Sequence, residues 1–128
     1  MDHYITIWSA VIFVENRLQS GFDYAGLAKA TGFSLPYVRA VFAKYTGKSL
    51  SRYITERKIA NAAFEIVHSR QRLVDIASKY GFSSPDSFTR AFRRIAGVNP
   101  STFRKQRRSV GRVLLCAGVY GVSITPEP

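Results

Sequence analysis

The sequence predicts an all-α fold of about seven short helices, arranged as two similar halves around one longer helix, with a C-terminal extension. Three observations support this fold class. Apolar residues recur at helical spacing through most of the chain. Capping residues and glycines divide that pattern into segments of helix length. A group of residues in the first half also recurs in the second half at an offset of 49 to 50 positions.

The composition allows a packed core and indicates a polyanionic partner. Of the 128 residues, 46% are hydrophobic and 13% are aromatic, which suits a compact domain. The formal net charge is +11, and residues 49–112 alone carry fourteen Lys or Arg against four Asp or Glu. This balance favours nucleic acid first and an anionic membrane surface second. The single cysteine, Cys116, excludes an internal disulfide and a zinc site made of several cysteines.

The sequence carries no membrane, secretory, metal-site or enzyme signal. No stretch of about 18 apolar residues occurs, and the N-terminus lacks the basic region of a signal peptide. The two histidines, His3 and His68, have no metal-ligand spacing. No Ser/His/Asp or Cys/His grouping, paired carboxylate site or glycine-rich phosphate loop indicates an enzyme. We therefore expect a cytoplasmic protein that has no catalytic activity, metal or cofactor and no membrane partner.

The first helix is predicted over residues 5–19, and Ser20-Gly21 should end it. The apolar residues Ile5, Trp8, Val11, Ile12 and Leu18 fall at i, i+3, i+4 and i+7 spacing in this segment, which is the spacing of one helix face. We expect that face to point inward, with Trp8 as an anchor of the core.

Six further helices are delimited by local signals. Asp, Ser or Asn precedes most of them as an N-cap, proline lies in the first turn of several, and glycine follows most of their ends. The predicted segments are 24–31, 35–45, about 50–69, 73–80, 85–95 and one that begins at Pro100. The segment at 50–69 is the longest, and a rise of 1.5 Å per residue gives it a length of roughly 30 Å.

The internal repeat contains a helix-turn-helix pattern twice. The run Leu27-Ala28-x3-Gly32-Phe33-Ser34 recurs as Ile76-Ala77-x3-Gly81-Phe82-Ser83. In the second copy Phe88, Ala91, Phe92 and Ile95 form one apolar face, and the opposite face bears arginines. A short helix, a glycine turn and a second helix with an arginine-bearing outer face are typical of DNA-binding helix-turn-helix units. Two ordinary helices with a solvated basic face remain the alternative.

The repeat also predicts the domain organisation. We expect a first helix-turn-helix subdomain at 1–48, a linking helix at 49–69 and a second subdomain at 70–108. The length of the linking helix is close to the ~34 Å between successive major-groove faces of B-DNA, so one chain should place two recognition helices one turn apart. Residues 109–128 form an extension whose apolar part, 113–124, is strand-like. We expect a second domain to begin there, and a short arm folded on the helices is the alternative.

These features resemble the DNA-binding domain of AraC/XylS-type transcription regulators, and within them the MarA, SoxS and Rob subgroup, over residues 4–106. The second copy matches the family spacing at Ile76-Ala77, Gly81-Phe82, Ser84, Phe88, Arg90, Phe92, Gly97, Pro100 and Phe103-Arg104. The resemblance implies two helix-turn-helix subdomains joined by a long helix. It also implies double-stranded DNA and RNA polymerase as partners. A small-molecule effector is implied only through a further C-terminal domain, as in Rob-like relatives.

By the same resemblance, residues 35–45 and 85–95 are the recognition helices. The base-contact candidates are Pro36, Arg39 and Ala40 in the first helix and Pro85, Asp86, Ser87 and Arg90 in the second. Arg39 is the side chain of the first set that is able to make a bidentate contact with guanine. Arg90 is the strongest candidate of all, with a phosphate contact or a solvated arginine as its alternatives. Asp86 suits a cytosine amine or the positive end of the helix dipole.

Phosphate contacts are expected from backbone N–H groups at helix N-termini. Basic side chains should add to them, namely Lys44, Lys48, Arg93, Arg94 and Arg104. MarA-like members carry Trp, Arg and two Gln at the positions of Pro36, Ala40, Pro85 and Asp86, so their operator is not expected here. The same differences support a second hypothesis, in which the chain is a protein-interaction or regulatory adaptor with little base-specific readout.

Overall fold

A computed structural model describes residues 3–19 and 22–106. They form α1 (His3–Asn16), α2 (Tyr24–Thr31), α3 (Leu35–Thr46), α4 (Leu50–His68), α5 (Leu73–Lys79), α6 (Pro85–Ala96) and α7 (Pro100–Gln106). The described residues contain no strand, so the all-α fold class is confirmed. None of these seven helices has both the length and the apolar character that crossing a bilayer requires. The predictions for Ser20-Gly21, for Cys116 and for the extension at 109–128 lie outside the described residues.

Helices α2 to α6 begin where predicted and end within one residue of the predicted limit, and side-chain caps account for the starts of α2, α3, α4 and α6. Asp23 accepts a hydrogen bond from the N–H of Gly26 at the start of α2. Ser49 does the same at α4, where its Oγ lies 3.2 Å from the nitrogen of Arg52. Helix α2 ends at Gly32, whose φ of 79° is a left-handed conformation that glycine adopts without a Cβ clash. These signals are local in sequence, and the tertiary structure leaves them unchanged.

Helix α1 departs from the prediction. Its buried residues are Thr6, Ile7, Ala10, Val11, Phe13 and Val14. Ile5, Trp8 and Ile12 are instead 65%, 44% and 60% exposed, so the inward placement of Trp8 was wrong. The helix is apolar on most of its circumference, so its apolar residues form two stripes along the helix. Packing against α2 and α3 buries the stripe that contains Ile7 and Val14. Helical spacing alone does not distinguish this stripe from the one that contains Ile5 and Ile12.

The chain divides into two compact units, with the boundary inside α4 after Ile54. The first unit contains α1, α2, α3 and the first residues of α4. Its core includes Ile7, Val14, Leu27, Val38 and Phe42, each of which is at most 1% exposed. At its edge, the hydroxyl of Tyr53 donates to Oε2 of Glu15 over 2.8 Å. The predicted limits of the two subdomains and the linking helix, after residue 48 and after residue 69, remain predictions.

The second unit contains the rest of α4 together with α5, α6 and α7. Its core includes a row of aromatic rings. Phe88 lies 5.2 Å from Phe82 and 5.8 Å from Phe92, and Phe92 lies 5.3 Å from Phe103, measured between ring centroids. Edge-to-face and tilted ring pairs of this kind stabilise a core beyond the area that they bury. The aromatic row therefore holds α6 and α7 together.

Replacing Phe92 by alanine should destabilise the fold, because this ring is fully buried between two others. We expect the free energy of unfolding to fall by about 3–5 kcal/mol. Phe64→Ala is the matched control, since Phe64 is 51% exposed and its loss should change stability by no more than about 0.5 kcal/mol. Urea denaturation followed by far-ultraviolet circular dichroism measures both. Equal losses in the two variants would contradict the described core.

Candidate nucleic-acid interface

Helix α3 presents the first group of predicted base-contact residues to solvent. Ser34 caps it by accepting a hydrogen bond from the N–H of Tyr37 over 3.4 Å. Its inward face is anchored by Val38, Val41 and Phe42. Pro36, Arg39 and Ala40 lie on the opposite side at i, i+3 and i+4, and all three are exposed. The structure therefore brings the predicted group together on one accessible face.

Arg39 stacks on an aromatic ring of the preceding helix. Its Cζ lies 4.7 Å from the centroid of Tyr24, the first residue of α2. Tyr24 in turn packs edge-on against Phe22, with 5.2 Å between the ring centroids. This contact joins the two helices of the first helix-turn-helix unit through the side chain that was predicted to read a base. Sequence analysis missed Tyr24, because the contact depends on the packing of α2 against α3.

Helix α6 begins with a capping box. The Oγ of Ser84 accepts from the N–H of Ser87 over 3.0 Å, and the Oγ of Ser87 accepts from the N–H of Ser84 over 3.3 Å. Ser87 also donates its hydroxyl to the carbonyl oxygen of Ser84 over 2.9 Å. Reciprocal bonds of this kind satisfy donors that the first helical turn leaves unpaired. The hydroxyl of Ser87 therefore has a structural role, and its base contact stays a prediction.

The outer face of α6 carries an ion pair that involves the strongest base-contact candidate. Nη2 of Arg90 lies 3.6 Å from Oδ2 of Asp86, and the two side chains are 74% and 79% exposed. Pro85 is exposed beside them. An exposed i, i+4 pair contributes only about 0.3–0.5 kcal/mol to stability, so the pair can open at little cost to the fold. The i, i+4 spacing is a sequence signal that could have indicated the pair.

The predicted phosphate-contact residues differ in accessibility. Lys44, Arg93 and Arg94 are exposed, whereas Lys48 and Arg104 are half-buried. Arg93 donates from Nε to the side-chain oxygen of Asn99 over 2.8 Å, which orients its guanidinium beside the start of α7. These exposed cations suit polyanion binding, although their individual phosphate contacts stay predictions.

Arg104 has a role in the fold that its sequence position did not indicate. Its Nε donates to the carbonyl oxygen of Ile66 over 3.0 Å. Ile66 lies in the last turn of α4, where carbonyl groups lack helical partners and the helix dipole is negative. Arg104 therefore ties α7 to the end of α4, and this half-buried guanidinium is less available to a phosphate than Arg94.

Glu65 organises the packing of the first helix in the second helix-turn-helix unit. Its Oε1 accepts from Nζ of Lys79 in α5 and from Nε2 of Gln71, the latter over 3.2 Å. Burial of this carboxyl raises its pKa, but hydrogen bonds from Lys79, Tyr80 and Gln71 and the charge of Lys79 outweigh burial. The pKa of Glu65 is therefore below its ordinary value. The ionised carboxylate stabilises the contact between α4 and α5.

Lys58 lies half-buried under the turn of the second unit. Its Nζ is 6.0 Å from the ring centroid of Phe82, and a Cβ placed on Gly81 would meet it at 3.7 Å. Burial lowers the pKa of this ammonium group. Helix α4 thus places one of its cations against the turn between α5 and α6.

Comparison with protein families matches residues 27–106 to the helix-turn-helix domain. Two relatives agree with that match. The chain is 32% identical over 105 residues to the transposon Tn10 TetD protein of Escherichia coli, covering 82% of this chain and 76% of the relative. It is 32% identical over 100 residues to the multiple antibiotic resistance protein MarA of Escherichia coli K12, covering 78% and 79%. The chain belongs to the AraC-type family of helix-turn-helix transcription regulators.

Other members of this family share the sequence and the fold. The HTH-type transcriptional activator AarP of Providencia stuartii is 30% identical over 105 residues, which cover 82% of this chain and 78% of AarP. An AraC-type transcriptional regulator from Chromobacterium violaceum has the same fold, with a TM-score of 0.74, 24% identity and coverage of 81% and 93%. The DNA-binding domain of AdpA, solved with a target DNA, gives a TM-score of 0.71 at 24% identity and coverage of 80% and 93%. The predicted family and fold are therefore confirmed.

The lowered pKa of Glu65 predicts acid sensitivity. A carboxyl whose pKa is lower in the folded state stabilises fully above its unfolded value, and that stabilisation is lost as pH falls through the folded value. The ordinary value is 4.5. We therefore expect the free energy of unfolding to fall more steeply in the wild type than in Glu65→Gln between roughly pH 5 and pH 3. Urea denaturation at stepped pH measures both slopes.

Asp75→Asn is the control for this experiment. Asp75 pairs with Arg72 over 2.9 Å, but both side chains are more than half exposed, so the pair contributes little to stability. The free energy of unfolding of Asp75→Asn should therefore change with pH almost as it does in the wild type. Equal acid slopes for the wild type and Glu65→Gln would contradict the role of Glu65.

Proposed function

We propose that this protein is a sequence-specific regulator that binds double-stranded DNA and places α3 and α6 in successive major-groove segments. One observation carries the proposal. Two helices of 12 residues each bury one face and display an exposed arginine on the other. Each follows a short helix and a glycine turn, which is the arrangement of a recognition helix. Family membership supports the same function.

Arg39 and Arg90 read bases in this proposal. A guanidinium is able to donate two parallel hydrogen bonds to O6 and N7 of guanine in the major groove. Pro36 and Ala40 offer small apolar surfaces that suit a thymine methyl group. Pro85 lies at the N-terminus of α6 beside Asp86, whose carboxylate orients Arg90 or accepts from a cytosine amine. Ser87 contributes through the start of the helix, because its hydroxyl is used in the capping box.

The charge of the chain supplies affinity. Lys44, Lys48, Arg93 and Arg94 are the side chains proposed to contact phosphates, together with N–H groups at helix N-termini. Each neutralised phosphate releases counterions, so the observed affinity should fall steeply with salt. Arg104 is a weaker member of this set because its Nε bonds to the carbonyl of Ile66. The DNA-bound protein would act in the cytoplasm, where a bacterial chromosome lies.

We also propose RNA polymerase as a protein partner. The support is membership of a family that includes AarP, a transcriptional activator. A small-molecule effector would require a further domain, and this part of the prediction concerns residues outside those described. The competing hypothesis is an adaptor that keeps the fold with little base readout, which Pro36, Ala40 and Asp86 support.

Selection from a random duplex DNA library at ~150 mM salt tests the proposed readout. The wild type should enrich an asymmetric motif with two blocks about one helical turn apart. Arg90→Ala should relax one block, with a loss of discrimination at a guanine of roughly 5- to 150-fold, because one bidentate contact contributes about 1–3 kcal/mol. Salt-sensitive binding without an enriched motif would favour the adaptor hypothesis.

Arg94→Ala is the matched control, since it removes the same charge from the same exposed side of the chain. We expect Arg94→Ala to weaken binding to all DNA sequences by a similar factor. It should also reduce the slope of log affinity against log salt concentration by about 1. The motif should stay unchanged. If Arg94→Ala lost sequence preference in one block of the motif and Arg90→Ala did not, the assignments would be reversed. Arg94 would then read a base and Arg90 would contact a phosphate.

Regulation is tested separately from binding. The selected motif is placed upstream of a promoter in a purified transcription reaction, at several spacings from the start site. Addition of the protein should change transcript yield at one or more spacings, and deletion of one block should abolish the change. Unchanged yield at every spacing, with the motif occupied, would contradict the regulatory part of the proposal.

A further inference from the structure

We infer that Tyr24 is a positioning residue for base readout, because its ring orients the guanidinium of Arg39 toward the major groove. This inference rests on the proposed function, and it names a specificity determinant that lies outside the recognition helix. Tyr24 is half-buried at the start of α2, whereas Arg39 is exposed on α3. The two residues connect the first and second helices of one helix-turn-helix unit.

The geometry of the stack leaves the hydrogen-bond donors of Arg39 available. Cζ of Arg39 lies 4.7 Å from the centroid of the Tyr24 ring, within the range of a cation–π contact. Arginine stacks on aromatic rings through the flat face of its guanidinium, and the inference includes this orientation for Arg39. The N–H donors lie in the plane at its edge, and they are the groups that bond to O6 and N7 of guanine. Stacking therefore orients Arg39 without occupying its donors.

The ring of Tyr24 is itself held in place. It packs against Phe22 at 80° with 5.2 Å between centroids, and Phe22 packs against Phe13 at 61° with 5.9 Å. Phe13 is buried in the core of the first unit, at 8% exposure. A row of three rings thus connects the core to the guanidinium. A side chain supported in this way holds its partner more firmly than a solvent-exposed group would.

The acid that precedes Tyr24 in the sequence has a role of its own. Asp23 precedes Tyr24, and its carboxylate accepts the N–H of Gly26 as the cap of α2. Arg90 differs, because its Nη2 faces the carboxylate of Asp86 at 3.6 Å. The first recognition helix therefore orients its arginine through an aromatic face, and the second does so through an ion pair that DNA must displace.

Preorganisation of a flexible arginine should raise discrimination, since less rotamer freedom is lost on binding. The free energy of an exposed cation–π contact corresponds to roughly a 2- to 5-fold change in an equilibrium constant. We expect Tyr24→Leu to lower the preference for guanine in one block of the selected motif by about that factor. Tyr24→Phe should retain the preference, because it keeps the ring. The block that Arg90 reads should be unaffected in both variants.

Library selection with the wild type, Tyr24→Leu, Tyr24→Phe, Arg39→Ala and Tyr24→Leu/Arg39→Ala tests the inference. In the Arg39→Ala background the loss of Tyr24 should have no further effect on that block, because the two residues act through one contact. Equal preference in the wild type and a folded Tyr24→Leu, or equal losses at both blocks, would overturn the inference. Tyr24→Phe behaving like Tyr24→Leu would also overturn it, since the hydroxyl would then be responsible.

A nuclear magnetic resonance measurement on the free protein makes the test independent of variant stability. The δ protons of Arg39 should show an upfield ring-current shift in the wild type and in Tyr24→Phe, and this shift should vanish in Tyr24→Leu. Absence of the shift in the wild type overturns the inference even if Tyr24→Leu fails to fold.

A wild type that enriches no motif contradicts the proposed function itself, and the inference then fails with it. An enriched two-block motif with unchanged selection in Tyr24→Leu rejects the inference alone.

Discussion

Burial of one face of each short helix is the constraint on which the rest of the structure depends. Helices α3 and α6 have 12 residues each, a length that is only marginally stable in water without tertiary packing. Phe42 and Phe92, at most 1% exposed, fix the rotation of these helices about their axes. The same burial determines which residues face outward, and Arg39 and Arg90 are among them.

The helix limits were largely predictable, because the signals that set them are local. Ser34 and Ser84 cap α3 and α6, and proline lies in the first turn of both helices. The inward face of α1 was not predictable, since Ile5 and Trp8 are as apolar as the Ile7 that is buried instead. Only the arrangement of α2 and α3 against α1 selects between the two stripes, and helical spacing contains no information about that arrangement.

The candidate interface was predictable as a surface and less so as a set of interactions. Pro36, Arg39 and Ala40 are exposed together as expected, because they lie opposite a clear apolar face. The stack of Arg39 on Tyr24 depends on how two helices pack, so no sequence pattern indicates it. The bond from Arg104 to the carbonyl of Ile66 joins residues 38 positions apart, and it was missed for the same reason.

The separation of outward from inward residues in the two recognition helices has an evolutionary consequence. Pro36 and Ala40 are exposed and lie apart from the buried residues of α3, and Asp86 belongs to an exposed pair in the first turn of α6. Mutations at these positions are therefore nearly neutral for folding, so selection is free to alter one half of the recognised sequence while the other half is kept. If α3 and α6 read DNA as proposed, single exchanges at these exposed positions would change the recognised sequence and still leave a folded protein.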